Sequence, residues 1–233
     1  SEKPLLEFDS KILKEMIRKT FFSVSPDETR QALNGLLLEV EGDNASLVGT
    51  DGHRLAMISR PVKSNSEKGE VLSFLLPKKA LSELLKLMEG EDATFGFSSQ
   101  DNHLAFICGK QVIVSRKIDG KFPNYRQVIP SDNPLKAKAD RSGLTHALKR
   151  VALLADEKSK MVRFEIQKGN LSLISDNTDL GAAHEEMPIE YDGEEVSIGL
   201  NAKYVLDILN VIEGDSVTLN LKDQNHSCLF TVG

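Results

Sequence analysis

The sequence predicts an α+β protein built from two tandem copies of one domain. Three observations support this prediction. Short alternating or apolar stretches recur between turn signals, four segments have helical periodicity, and one stretch of the chain is repeated. The length of 233 residues is sufficient for two domains of roughly 100 to 150 residues, each with its own core.

The predicted strands are short and closely spaced. In the first half they are LLLEVEG, ASLVGTD, HRLAMISRPV, ATFGFSSQ, HLAFICG and QVIVSRKIDG. In the second half they are MVRFEIQKG, LSLISDN, GAAHEEMPIE, VSIGL, SVTLNLKD and SCLFTVG. Many of them are separated by Gly, Asn or Asp, which indicates tight turns and therefore antiparallel hairpins.

Four segments have the periodicity of amphipathic helices. We expect the first from about Ser10 to Thr20, the second from Pro77 as the first helical residue to Met88, and the third from roughly Ser142 to Leu154. The fourth follows Asn201, which is a suitable N-cap. The predicted buried positions are Ile12, Leu13, Met16, Ile17, Leu81, Leu84, Leu85, Met88, Leu144, Leu148, Val151, Val205, Ile208, Leu209 and Ile212.

An internal repeat gives the domain organisation. The stretch that begins at Leu75 aligns with the stretch that begins at Gly199 at a constant offset of 124 residues, and Gly90 and Gly214 are each expected to end a helix. We therefore predict one domain at 1–122, a linker at 123–128 and a second domain at 129–233. Two prolines and one glycine between Asp119 and Pro130 predict an extended, fairly stiff connection.

Charge is distributed unevenly along the chain. With 29 Lys and Arg against 35 Asp and Glu the net charge is -6, yet the four predicted helices carry +7 and the rest carries -13. One interpretation is that lysine simply favours exposed helical positions. The other is a cationic surface that faces a polyanion.

Several functional classes find no support in the sequence. The chain has no apolar run of the ~20 residues that cross a bilayer, no signal peptide, and only two cysteines without metal-binding spacing. We therefore expect a cytoplasmic protein with no metal and no cofactor. Walker A, GxGxxG, HExxH and GxSxG motifs are also absent from the sequence, which argues against the common enzyme classes.

One alternative is a small hydrolase that uses Asp51 and His53 as an acid–base pair. The competing interpretation is a type I′ hairpin with Asp51 and Gly52 in its turn, in which His53 begins the returning strand. The run His184-Glu185-Glu186 could supply metal ligands, but a solvated strand is the simpler explanation. Cys108, in an apolar run, is expected in the core.

Four features together resemble the bacterial sliding clamp family, the β subunit of the replicative DNA polymerase III. They are TDGHRLAM (50–57), DGKFPNYRQVIP (119–130), DEKSKMVRF (156–164) and the repeat. The resemblance implies tandem DNA-clamp domains with helices on a concave face and antiparallel sheets outside. In the family, three such domains per subunit form a head-to-tail dimeric ring around duplex DNA. The chain would then hold the second domain and most of the third without its C-terminal strand, and would be monomeric or weakly associated.

The resemblance also implies a function and its residues. The family acts as a non-enzymatic processivity factor that encircles double-stranded DNA and docks the polymerase, the clamp loader and repair proteins through linear motifs. The implied DNA-facing residues are Lys11, Lys14, Arg18, Lys78, Lys79, Lys86, Lys149, Arg150 and Lys203. The implied peptide pocket consists of Leu33, Thr50, Gly52, His53, Arg54, Leu55, Pro123, Val128 and Ser227. Gln127 replaces a frequent arginine, and the Met-Pro tail that completes the pocket is missing, so we expect reduced peptide affinity.

Overall fold

The chain forms two units, Ser1–Tyr125 and Arg126–Gly233, each with two antiparallel sheets and two α-helices. The computed structural model describes residues 3–67, 69–88 and 93–232. The division falls inside the predicted linker. The mixture of helices and antiparallel sheets in two domains is the predicted α+β class.

In the first unit the strands are β1 (Leu6–Asp9), β2 (Gly35–Glu41), β3 (Asn44–Thr50), β4 (Leu55–Pro61), β5 (Lys63–Ser64), β6 (Val71–Pro77), β7 (Thr94–Gln100), β8 (His103–Cys108) and β9 (Gln111–Arg116). The helices are α1 (Ser10–Thr20) and α2 (Lys78–Leu87), with 3₁₀ turns at Phe21–Ser23 and Gln31–Leu33. The sheets have the orders β5-β1-β7-β8-β9 and β4-β3-β2-β6.

In the second unit the strands are β10 (Leu135–Asp140), β11 (Met161–Gln167), β12 (Asn170–Asn177), β13 (Gly181–Pro188), β14 (Val196–Asn201), β15 (Ser216–Leu221) and β16 (Leu229–Thr231). The helices are α3 (Arg141–Val151) and α4 (Ala202–Val211), with 3₁₀ turns at Ala152–Leu154 and, on the connection between the units, Tyr125–Gln127. The sheets have the orders β10-β15-β16 and β13-β12-β11-β14.

The repeat predicted from the sequence is also a structural repeat. Helices α2 and α4 begin and end at positions related by the same offset of 124 residues. Helices α1 and α3 have 11 residues each, and each follows an aspartate N-cap, Asp9 or Asp140, whose carboxylate accepts backbone hydrogen bonds. Gly214 has a positive φ of 92°, but it does not end α4, because the helix stops at Val211 and its C-cap Ile212 is already extended. Gly90 lies outside the described residues.

Each unit has its own hydrophobic core. In the first, Phe8, Phe95, Phe97 and Phe106 from the five-stranded sheet pack in one cluster with the apolar faces of α1 and α2. The second core includes Phe164, and the buried faces of α3 and α4 pack into it. Burial of these stripes is the main source of helix stability, and it leaves the opposite faces of the helices in solvent.

Some predicted boundaries are wrong. Pro77 ends β6 and is the N-cap of α2 instead of its first helical residue. The third helix is helical only through Val151, after which one 3₁₀ turn continues to Leu154. Four strands were not predicted from the sequence, namely Leu6–Asp9, Lys63–Ser64, Val71–Pro77 and Leu135–Asp140.

The connection between the units is not simply extended. It contains the 3₁₀ turn Tyr125–Gln127, and Phe122 and Tyr125 are buried. The Tyr125 hydroxyl donates a hydrogen bond to Glu39 on β2 at 3.0 Å. Aromatic anchors, rather than proline stiffness alone, therefore fix the beginning of the connection.

None of the helices in the described part of the chain is both long and apolar enough to span a membrane.

Candidate functional site

The cationic helix faces follow directly from the amphipathic pattern. Helix α1 buries Leu13, Met16 and Ile17, so Lys11 and Arg18 are exposed on its other side. In each unit the two helices contact each other. Of the nine basic residues predicted to face DNA, eight are exposed and Lys14 is half-buried.

Some of the basic residues that were predicted to face DNA have a structural role. Lys14 on α1 donates a hydrogen bond at 3.2 Å to the carbonyl of Met88, at the end of α2. In the second unit, the Arg141 guanidinium donates hydrogen bonds to the carbonyls of Leu209 and Gly214, at 3.2 and 2.7 Å, near the end of α4. A cation at the carboxyl end of a helix is favourable because the unpaired carbonyls there are partly negative.

Two more predicted residues are paired with acids. Lys86 forms an ion pair with Glu83 at 2.9 Å, and the Arg150 guanidinium donates two hydrogen bonds to Glu185 on β13. The latter contact lowers the pKa of Glu185 and raises that of Arg150. Within the described residues, no ion pair is present for five of the other six exposed cations, which are Arg18, Lys78, Lys79, Lys149 and Lys203.

The hairpin between β3 and β4 has a four-residue loop. Thr50 pairs with Leu55, so residues 51–54 form the loop and His53 lies within it. Only Gly52 among these four residues has a positive φ, of 92°. The predicted type I′ turn, and the placement of His53 on the returning strand, are therefore wrong. The reason is that the Asp51 side chain closes a wider turn.

Asp51 organises the loop from within. Its carboxylate Oδ1 accepts hydrogen bonds from the backbone N–H groups of His53 and Arg54 at 2.9 and 3.0 Å. Thr50 contributes through its hydroxyl, which accepts from the Gly52 N–H at 3.1 Å and donates to the Arg54 carbonyl at 2.6 Å. These contacts hold the loop in one backbone conformation.

Arg54 attaches the loop to the end of α1. Its Nε donates to Asp51 Oδ2 at 3.1 Å, and its Nη2 donates to the Phe22 carbonyl at 2.7 Å. The guanidinium carbon lies 5.3 Å from the centroid of the Phe22 ring. The side chains of Arg54 and Asp51 are only 12% and 8% exposed, so this is a largely buried, hydrogen-bonded ion pair. Breaking one side of such a pair is costly.

Arg30 contacts the hairpin loop although it is not among the residues predicted from the sequence. Its Nη1 donates a hydrogen bond to the Asp51 carbonyl at 2.9 Å, across 21 residues of sequence. No local motif predicts this contact, because it depends on the packing of the segment before β2 against the hairpin.

Most of the predicted pocket residues belong to the first unit. Gly52 and His53 are exposed, Leu55 is half-buried, and Thr50 is buried at the end of β3. Leu33, also buried, lies in the 3₁₀ turn before β2, and Pro123 is exposed on the chain that leaves the unit.

Two predicted residues belong to the second unit. Val128 is 62% exposed. Ser227 is exposed in the loop between β15 and β16, and its carbonyl accepts a hydrogen bond from Asn133 at 2.9 Å. The amide of Asn133 also donates to the Asn220 carbonyl at 2.9 Å, so one side chain anchors both this loop and β15.

The geometry does not favour the hydrolase alternative. The Asp51 carboxylate accepts hydrogen bonds from the Arg54 side chain and from backbone groups, among them the main-chain N–H of His53. His184 and Glu186 lie on one face of β13, 3.7 Å apart, while Glu185 is held by Arg150. No group of three metal-binding side chains occurs among the described residues. Cys108 is buried, as predicted.

Comparison with known proteins gives a consistent family assignment. Residues 7–124 match the family described as DNA polymerase III beta subunit, central domain, and residues 126–232 match its C-terminal domain. The Beta sliding clamp of Pseudomonas aeruginosa is 35% identical over 217 residues, which cover 93% of this chain and 59% of that protein. The corresponding protein of Escherichia coli K12 is 33% identical over 211 residues, 91% of this chain and 57% of that protein.

Comparison with solved structures gives the same family. A crystal structure of the sliding clamp from Pseudomonas aeruginosa superposes with a TM-score of 0.93 at 33% identity and covers 100% of this chain and 64% of that chain. A DNA polymerase III beta subunit from Thermotoga maritima gives 0.91 at 29% identity, over 99% of this chain and 62% of that one. The chain thus spans about 59% of the length of the first curated relative. From the match of both units to consecutive domains, we conclude that this chain belongs to the DNA polymerase III beta subunit family.

Proposed function

We propose that the chain is part of a sliding clamp, a processivity factor that holds DNA polymerase on duplex DNA without sequence specificity and without catalysis. The observation that carries this proposal is the match of its two units to consecutive domains of the beta subunit. The location that fits this role is the bacterial cytoplasm, and neither a metal nor a cofactor is needed.

The charge distribution supports a DNA interface on the helices. Arg18, Lys78, Lys79, Lys149 and Lys203 are exposed on helices from both units, while the chain as a whole carries a net charge of -6. A few exposed cations interact with phosphates and exchange them rapidly, whereas many fixed contacts would hinder sliding. Retention on DNA would then come from encirclement, not from affinity.

The hairpin loop supports a second role in docking partner proteins. The loop exposes Gly52 and His53 next to the half-buried Leu55. An apolar side chain with polar neighbours suits leucine and phenylalanine anchors of an extended peptide. Partners of this kind would be the polymerase, the clamp loader and repair proteins.

The full-length protein would form a head-to-tail dimeric ring. In the first unit, β9 is at the edge of the five-stranded sheet and carries the exposed Val112 and Val114. In the second unit, β13 is at the edge of the four-stranded sheet, and Leu153 and Leu180 are exposed. Open strand edges and exposed apolar side chains are typical of surfaces that pair with another domain. We propose that the chain alone is monomeric or weakly associated, which sedimentation velocity tests.

The decisive experiment measures peptide binding by titration calorimetry with an extended peptide that contains leucine and phenylalanine. We expect His53→Ala to weaken binding while unfolding stays cooperative. His103→Ala, on β8 of the other sheet and equally exposed, is the matched control and should bind normally. Unchanged affinity of the His53 variant would contradict the proposed docking site. Loss of turnover in that variant, on any ester or amide substrate, would favour the hydrolase alternative.

A further inference from the structure

We propose that the pair Asp119–Gly120 is a site of spontaneous covalent modification, at which the aspartate converts to isoaspartate through a succinimide. Both residues belong to the first unit and precede the 3₁₀ turn that leads to the second. The proposal does not depend on the clamp function proposed above, because it follows from the chemistry of the chain itself.

Four places in the sequence have an aspartate or asparagine followed by glycine, the residue pairs that form succinimides most readily. They are Asn34–Gly35, Asp51–Gly52, Asp119–Gly120 and Asp192–Gly193. Glycine favours the reaction because it has no Cβ atom to hinder the approach of its backbone nitrogen to the preceding side chain. The local sequence does not rank the four pairs, whereas their structural surroundings do.

The first two pairs are held by hydrogen bonds. The side-chain amide of Asn34 donates to the Ser25 carbonyl at 3.0 Å, and Gly35 is buried in β2. The Asp51 carboxylate accepts from two backbone N–H groups of its loop and from the Arg54 side chain. Ring closure at either pair must first break these contacts.

The pair Asp192–Gly193 is exposed but crowded. The Tyr191 hydroxyl donates to the Glu194 carbonyl at 2.5 Å and closes the chain around the pair. A Cβ atom on Gly193 would lie 2.6 Å from that hydroxyl, so the tyrosine side chain lies against the glycine backbone. This contact restricts the movement that brings the glycine nitrogen to the aspartate side chain.

The pair Asp119–Gly120 has none of these restraints. Both residues are exposed in the irregular chain between β9 and the 3₁₀ turn Tyr125–Gln127. Among the described residues, neither the Asp119 carboxylate nor the Gly120 N–H has a hydrogen-bond partner. The carboxyl group is therefore free to rotate toward the next nitrogen, and proximity within one chain favours the attack.

The reaction needs no enzyme, oxidant or reductant. The Gly120 nitrogen attacks Cγ of the protonated Asp119 carboxyl group, a C–N bond forms, and the amide proton leaves with the carboxyl hydroxyl as water. Water then opens the succinimide at either carbonyl. Attack at the main-chain carbonyl gives isoaspartate, in which the chain continues through the former side chain, so the net change is an isomerisation.

Isoaspartate at position 119 adds one main-chain carbon between two fixed points. The Ile118 N–H donates to the Leu75 carbonyl at 3.4 Å, and Phe122 is buried. The mass of the chain and its number of carboxylates stay the same, but the chain between these anchors becomes longer. The modification therefore alters the path of the connection at its beginning.

The test measures isoaspartate in the folded chain after prolonged incubation in weakly acidic buffer. Trypsin cleaves after Lys117 and Lys121 and isolates Asp119 in a four-residue peptide, apart from the other pairs. An isoaspartyl methyltransferase with labelled S-adenosylmethionine then counts isoaspartate in each peptide. Asp119 should give about tenfold more than Asp51, which must first lose hydrogen bonds to its charged carboxylate. Asp192 should give an intermediate amount.

Two controls complete the test. Asp119→Glu keeps the charge but can close only a larger, less readily formed ring, so the signal from its peptide should disappear. In concentrated urea, where the loop contacts are lost, Asp51 should approach the yield of Asp119. Absence of isoaspartate from Asp119 in the folded chain would overturn the proposal, as would an equal or higher yield at Asp51 or Asp192. A difference between Asp119 and Asp51 that persists unchanged in urea would also overturn it, because local sequence would then set the ranking.

Discussion

Glu15 on α1 accepts two hydrogen bonds from Arg60 on β4, from Nε at 3.0 Å and from Nη2 at 2.5 Å. The second unit has the same kind of link with the charges exchanged, because there the helix α3 supplies Arg150 and the strand β13 supplies Glu185. In each unit, therefore, a bidentate pair joins the first helix to the edge strand of the four-stranded sheet. Such pairs orient a helix as well as stabilise it.

The first prediction concerns the pH dependence of the Glu15 contact. Hydrogen bonds from Arg60, and then from Lys19, lower the pKa of Glu15 from 4.5 to about 2. A carboxyl whose pKa is lower in the folded state stabilises the fold above its unfolded pKa, and this contribution is lost as the pH falls toward the folded pKa. Glu15→Gln should therefore destabilise the first unit at neutral pH by about 1 to 2 kcal/mol, after allowance for partial exposure.

Urea titrations followed by the amide NMR signals of Leu47 and Phe97, both in the first core, would measure this difference. It should shrink as the pH is lowered from about 4.5 toward 2, the two pKa values for Glu15. Glu83→Gln is the control, since Glu83 is 48% exposed in its pair with Lys86 and should contribute little. A difference that stays constant with pH would show that the Glu15 charge is not responsible.

The second prediction separates neighbouring cations on α3. Lys149 is exposed and has no described acidic partner, whereas the Arg150 guanidinium is already engaged by Glu185. Lys149→Ala should therefore weaken binding to duplex DNA more than Arg150→Ala does. It should also reduce the slope of log K against log salt by about 0.9, the contribution of one phosphate contact.

Fluorescence anisotropy with a short labelled duplex at several salt concentrations provides the measurement. Glu185→Gln should have the opposite effect, because it releases Arg150 and removes a negative charge, so DNA affinity should rise. Equal losses for Lys149→Ala and Arg150→Ala would contradict this ranking of the two cations.

The third prediction concerns a close backbone contact in the first unit. A Cβ atom on Gly49 of β3 would lie 2.4 Å from the Ser23 hydroxyl and 2.6 Å from Leu36. Gly49→Ala should therefore destabilise the fold by about 1 to 3 kcal/mol through overpacking. The matched control is Gly199→Ala on β14, where the nearest atom is the flexible side chain of Met161 at 3.0 Å. Thermal unfolding of both variants tests the contrast, and equal stabilities would refute it.

The periodicity of apolar residues in the sequence was sufficient to predict most of the helices and strands. The bounds of α1 were predicted correctly, and the repeat indicated α2 and α4 at equivalent positions, because an apolar stripe at helical spacing can be buried in few other ways. Strand β10, LKAKAD, was missed because its buried residues are Ala137 and Ala139, and alanine is a poor indicator of strands. Its pairing with β15, which is distant in sequence, defines it as a strand.

The site was less predictable than the fold. The number of cations on the helices follows from the sequence, but their availability depends on distant partners, such as Glu185, which is 35 residues from Arg150. The Asp-Gly pair at 51–52 predicted a two-residue turn, but the Asp51 carboxylate accepts backbone hydrogen bonds that close a four-residue loop. No local pattern indicated the hydrogen bond from Arg30 to this loop.

The sequence by itself determined the four helices, most of the strands, the duplication and the placement of positive charge on helices, since these depend on the spacing of residues near one another in the chain. Only the tertiary structure decided which charges are paired and which residues hold the hairpin loop. Those outcomes depend on distances of a few ångströms between segments far apart in sequence, where a hydrogen bond or an ion pair either forms or does not.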